Sequence, residues 1–184
     1  MTDTTLVIAG IVVVLAVIAL AWILLARQRR ERLRTKFGPE YERTVRDMGD
    51  PRQAEALLEE RAKRVSSYHI RELKSEERGR FSEAWRRVQA QFVDDPSAAV
   101  TEADLLVTEV MTTRGYPMSD FDRRAEDLTV DHANVINHYR QAHDIAARHA
   151  RKDASTEDLR QALVHYRALF ADLLDTHHPV RKSA

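Results

Sequence analysis

The sequence predicts an all-α protein, with an N-terminal transmembrane helix followed by a compact multi-helix domain, orthogonal or bundled. Three observations carry this. An uncharged apolar run fills residues 6–26, apolar residues recur at helical spacing through most of the remaining chain, and no convincing period-two segment appears. The chain of 184 residues divides accordingly into a short tail (1–5), the span (6–26), a basic juxtamembrane segment (27–36), a helical domain (37–176) and a flexible tail (177–184).

The run LVIAGIVVVLAVIALAWILLA, Leu6 to Ala26, is 21 residues long. As a helix it extends about 31 Å at roughly 1.5 Å per residue, which matches a hydrocarbon core of about 30 Å. Few soluble cores hold an uninterrupted apolar helix of that length. Trp22 lies near its basic end, where an amphipathic ring suits the membrane boundary. A cleavable signal peptide is the rival reading, and Ala19-Leu20-Ala21 fits its small-x-small pattern. However, the leader MTDTT has no basic residue, and the run exceeds a typical signal core. Ala9, Gly10, Ala16 and Ala19 leave room for self-association into a homo-oligomer, without a G-x-x-x-G pattern.

Residues 27–36, RQRRERLRTK, hold six basic residues against Glu31 alone, a net charge of +5. None precedes the span, so the charge asymmetry puts the N-terminus outside and the helical domain in the cytoplasm. Arg27, Arg29, Arg30, Arg32, Arg34 and Lys36 are therefore topology signals and candidate contacts for anionic lipid headgroups. Residues 37–184 carry about −4, whereas a nucleic-acid binder carries its basic stripe on the folded domain, so no nucleic-acid partner is expected. The chain has no cysteine, which removes disulfides, thiolate metal sites and thiol nucleophiles.

Beyond the basic segment, Phe37-Gly38-Pro39 ends the juxtamembrane helix and opens a short one to about Met48. Gly49-Asp50-Pro51 repeats the device, with Gly closing one helix, Asp capping the next and Pro opening it. That third helix runs to about His69 with Ala54, Leu57, Leu58, Val65 and Tyr68 inward. Ser75 opens a helix with Phe81, Ala84, Trp85, Val88 and Phe92 on one stripe. Asp95-Pro96 starts another carrying Ala99, Ala103, Leu106, Val107 and Val110, closed by Gly115. A short helix covers about Asp120 to Leu128, and Asp131 caps one whose stripe is Val135, Ile136, Tyr139, Ala142 and Ala146. The last, capped by Ser155 or Thr156, buries Leu159, Ala162, Leu163, Tyr166, Phe170 and Leu173.

Little in the sequence points to chemistry. His132 and His143, like His138 and His149, are eleven residues apart, so the rise separates each pair by about 16 Å, beyond chelating range. There is no H-E-x-x-H, no G-x-S-x-G and no glycine-rich phosphate loop. The chain is expected to be no enzyme, with no catalytic residue, metal or cofactor. The stretch RGYPMSDFDRRAEDL, Arg114 to Leu128, is read as a helix joint: Gly115 ends a helix, Pro117 prevents its resumption and Ser119 caps the next. The competing reading is a partner-binding corner anchored by Arg114, Tyr116 and Phe121, because Arg and aromatics dominate hot spots.

The segments RTKFGPEYERTV, FSEAWRRVQAQFVDDPSAAVTEADLLVTEVMTTRGYPMSDFDRRAEDLTVDH and TEDLRQALVHYRALFADLL resemble a family of small bacterial proteins with one N-terminal span and a helical domain. VQ-x-x-FVDDP and RGYP-x-x-DF carry the resemblance most specifically, across most of residues 30–175. It implies the architecture and no activity. Members are labelled hypothetical membrane or secreted proteins, which keeps the signal-peptide rival in view.

The expected function is a membrane-tethered helical interaction or scaffold module whose partners are the lipid bilayer and another protein. One alternative is an envelope-side structural protein with its helical domain exported. Another is a histidine-based hydrolase or metalloprotein, which needs at least three of His132, His138, His143 and His165 to converge.

Overall fold

The computed structural model describes the backbone of residues 2–175 and the side chains of residues 14–175. The described residues form eight helices and no strand: α1 (Thr2–Phe37), α2 (Pro39–Met48), α3 (Pro51–Ser66), α4 (Ser75–Asp94), α5 (Pro96–Arg114), α6 (Phe121–Asp131), α7 (Ile136–Ala150) and α8 (Thr156–Leu174). The chain forms two units, residues 1–58 and 59–184, with the boundary inside α3. The flexible tail predicted at 177–184 lies outside the described residues.

In the first unit, α1 breaks at Gly38 and α2 begins at Pro39, whose missing N–H is one of the donors a helix start leaves unpaired anyway. α2 ends at Gly49, which is left-handed at φ 69° and donates its N–H to the Val45 carbonyl. Asp50 accepts from the Arg52 N–H at 2.9 Å and opens α3. The buried apolar side chains of this unit are Leu33, Phe37, Tyr41, Ala54 and Leu58. Glu55 joins the three helices: it accepts from Arg30 Nε on α1 and from the Tyr41 hydroxyl on α2, each at 2.9 Å.

In the second unit, α5 packs against α4, α7 and α8, and α7 against α6 and α8. The central place of α5 stems from its composition: Ala99, Val100, Ala103, Leu106, Val107, Val110 and Met111 bury more than one face, and the two alanines let neighbours approach. Trp85 of α4 stacks on Phe170 of α8 with ring centroids 4.8 Å apart.

Several boundaries differ from those the sequence predicts. The third helix stops at Ser66 rather than near His69, because the Ser66 and Ser67 hydroxyls bond to the carbonyls of Lys63 and Arg64 and compete with the helix ladder. Asp120, not Ser119, caps α6, accepting from the Arg123 N–H at 2.8 Å. Asp131 ends α6 instead of capping α7, which begins at Ile136 after a turn. His132 therefore sits at the end of α6 and not on α7. The cause lies in the tertiary structure: His132 is buried, and its Nδ1 is bonded to Asp172 of α8.

Candidate functional site

Among the described residues, most of the exposed large apolar side chains lie on α1. Val14, Leu15, Val17, Ile18, Leu20, Trp22, Ile23, Leu24 and Leu25 are each 45–65 % exposed. At about 100° per residue they cover every side of the helix, whereas a surface helix of a globular protein confines its apolar residues to a stripe. Exposed contiguous apolar surface of this kind marks a membrane or protein contact. Among the described residues no helix is long and apolar enough to cross a membrane. The described side chains begin at Val14, so residues 6–13 of the span predicted at Leu6–Ala26 lie outside them.

The predicted headgroup cations come next along α1, and the fold sorts them into classes. Arg30 pairs with Glu55 at 2.9 Å, and Arg34 pairs with Glu42 at 3.1 Å while lying over the Tyr41 ring. The bond to Glu55 and its negative charge hold the Arg30 guanidinium above its ordinary pKa. Lys36 is half-buried with its Nζ over the Phe37 ring, 5.7 Å from the centroid. Arg27, Arg29 and Arg32 are exposed.

The corner after α5 buries two of its three candidate anchors. Arg114 is 3 % exposed, and its Nη1 donates to the Leu173 carbonyl at 2.9 Å. Tyr116 is buried, and burial pushes its phenol pKa up. Phe121 is half-buried, stacked on His143 at 3.5 Å and tilted against Tyr139 at 4.9 Å. Of the corner's residues, Pro117 and Met118 are the apolar ones presented to solvent.

Of the four histidines that a metal or hydrolase site would need together, only His138 and His165 meet, with their Nδ1 atoms 3.0 Å apart. His132 is engaged by Asp172, and His143 by Phe121. Among the described residues no group of three or more His, Asp or Glu is arranged to hold a metal ion.

Two polar groupings have no signal in the sequence. Asp127, its side chain 3 % exposed, accepts from Arg64 Nε and from the Tyr68 hydroxyl, both at 2.9 Å, while Glu126 pairs with Arg61 and Arg64. Ser97 Oγ and His149 Nε2 lie 2.6 Å apart. Spacing along the chain gives no warning of either, since residues 52 to 65 positions apart are brought together only by packing. No family model, curated protein or solved structure matches the chain, so the family resemblance drawn from its segments gains no outside support.

Proposed function

We propose that this protein is a single-span membrane protein that holds a helical interaction domain at the cytoplasmic face of a bacterial membrane. The observation that carries the proposal is the 21-residue uncharged run, whose described side chains are exposed on every side of α1 and followed at once by the cationic segment. In water, roughly 25 cal/mol per Å² of exposed apolar surface disfavours that arrangement, and a bilayer removes the penalty. Encirclement by apolar side chains supports a helix that crosses the bilayer over one that lies on it, since the latter keeps a polar face.

In this reading the anchor supplies location, and the domain supplies recognition of another protein by raising its effective concentration at the membrane. Binding is favoured over catalysis because the buried and half-buried histidines are taken up by contacts between helices. In-cell cross-linking of the full chain, compared with a version carrying an unrelated span of equal length, tests recognition. Both should capture the same partner; capture of none above background contradicts the proposal. A reporter fused at Ala184 tests orientation, with activity expected on the cytoplasmic side.

A further inference from the structure

We infer that Arg27 and Arg32 form a contact for anionic phospholipid headgroups, whereas Arg30 and Arg34 of the same segment serve the fold. This rests on the membrane-span reading above and divides a cluster that the sequence presents as uniform. Arg30 is held by Glu55, and Glu55 in turn by Tyr41; Arg34 is held by Glu42 and packs on Tyr41. A guanidinium already facing a carboxylate has part of its charge compensated and a donor engaged, so it offers less to a phosphate than one with no such partner. Arg27 and Arg32 are exposed and make no ion pair with any described residue.

Their placement fits the same occupant. Arg27 directly follows Ala26 at the end of the apolar run, and Arg32 lies about 7.5 Å further along at roughly 1.5 Å per residue. That puts both within the headgroup layer when the apolar run fills the hydrocarbon. Five residues at about 100° each set them some 140° apart around the helix. A helix lying on the surface would gather its cations on one face, whereas a helix crossing the headgroup layer meets phosphates on all sides. Complementary charge selects anionic over zwitterionic lipid, at about a five-fold preference per nearby cation.

Trp22, exposed five residues before Arg27, gives the readout. The full chain would be reconstituted in mixed phosphatidylglycerol and phosphatidylcholine vesicles, with bromine on the chains of one lipid or the other. Bromine quenches only a tryptophan within the bilayer, so the buried Trp85 contributes equally to both arms. Brominated phosphatidylglycerol is expected to quench Trp22 more than its share of the lipid predicts, and added salt should reduce the excess. R27Q/R32Q should remove most of the excess without lowering the melting temperature. R30Q/R34Q should keep most of the excess and lower the melting temperature. Equal quenching by the two brominated lipids, or equal loss of the excess in both variants, overturns the inference while leaving the span intact. Quenching by neither lipid overturns the span reading, and the inference with it.

Discussion

The Arg114 guanidinium donates from Nη1 to the carbonyl of Leu173, 2.9 Å away in the last turn of α8. The last four carbonyls of a helix have no intrahelical donor, and a cation there also meets the negative end of the helix dipole. The Arg114 carbonyl accepts from the Arg71 N–H at 2.8 Å, so one residue ties the end of α5 to the end of α8 and to the loop before α4. Replacing Arg114 by Leu should destabilise the domain by about 2–3 kcal/mol, the scale of a buried charge-assisted bond and the carbonyl it leaves unpaired. Lys should recover only part, because it lacks the fork. Urea unfolding of the full chain in detergent measures both. Loss of partner capture with unchanged unfolding would instead make Arg114 a recognition residue.

Gly115 and Gly79 give a paired test. At Gly115 φ is +98°, and an added Cβ would lie 2.4 Å from the His69 carbonyl oxygen, part of the backbone. Gly115→Ala should therefore cost more than the ~1 kcal/mol of a left-handed alanine alone. At Gly79, within α4, a Cβ meets nothing within 4 Å, so Gly79→Ala should stabilise by about 0.5–1 kcal/mol. Opposite shifts in melting temperature are expected, and shifts of the same sign would contradict the backbone geometry.

The helices are largely legible in the sequence, because Gly38-Pro39, Gly49-Asp50-Pro51, Asp95-Pro96 and Ser155 are local signals that act within a turn of themselves. The segment around Asp131 is not. There Asp131 looks like a cap, and only the distant Asp172, which binds His132, settles where α6 ends. The placement of Arg114 is not legible either: by type Arg and Tyr suit a joint or a hot spot alike, and the carbonyl that accepts from Arg114 is 59 residues away.

Asp127 is a buried charge of the second unit. Both its oxygens are used, by Arg64 and Tyr68, and it is nearly fully buried. Asp127→Ala removes the closest partner of the Arg64 guanidinium, which keeps Glu126, and leaves the Tyr68 hydroxyl without its acceptor, so it should cost about 2–3 kcal/mol. An unfolding free energy within about 1 kcal/mol of the parent would contradict this network.

Burial and the neighbouring His138 lower the pKa of His165 from its ordinary 6.5. The unfolded chain therefore binds this proton first as pH falls, so the contribution to stability is present above about 6.5 and declines below it. Melting temperature should fall between about pH 7 and pH 5, and His165→Gln should flatten that part of the profile. An unchanged slope would remove His165 as its source.

Glu77 titrates in the opposite sense of charge. Its bonds to Arg71 and to the Lys74 N–H hold the carboxyl down to about 2 from 4.5. Its depressed pKa makes the interaction present above the unfolded value and lost as pH falls toward 2. An NMR titration of the Glu77 carboxyl should show that low midpoint, and Arg71→Ala should return it toward 4.5. A midpoint near 4.5 in the parent chain would contradict the pairing.

Whether Leu6 to Ala26 lodges in lipid decides the proposed role, since location, orientation and the headgroup contacts all depend on it. Membranes from cells making the full chain, washed with alkaline carbonate and then extracted with detergent, test it most directly. The chain is expected to stay with the membranes through carbonate and to be released only by detergent, its N-terminal segment intact by mass spectrometry. Recovery of the intact chain in the carbonate supernatant would contradict the anchor.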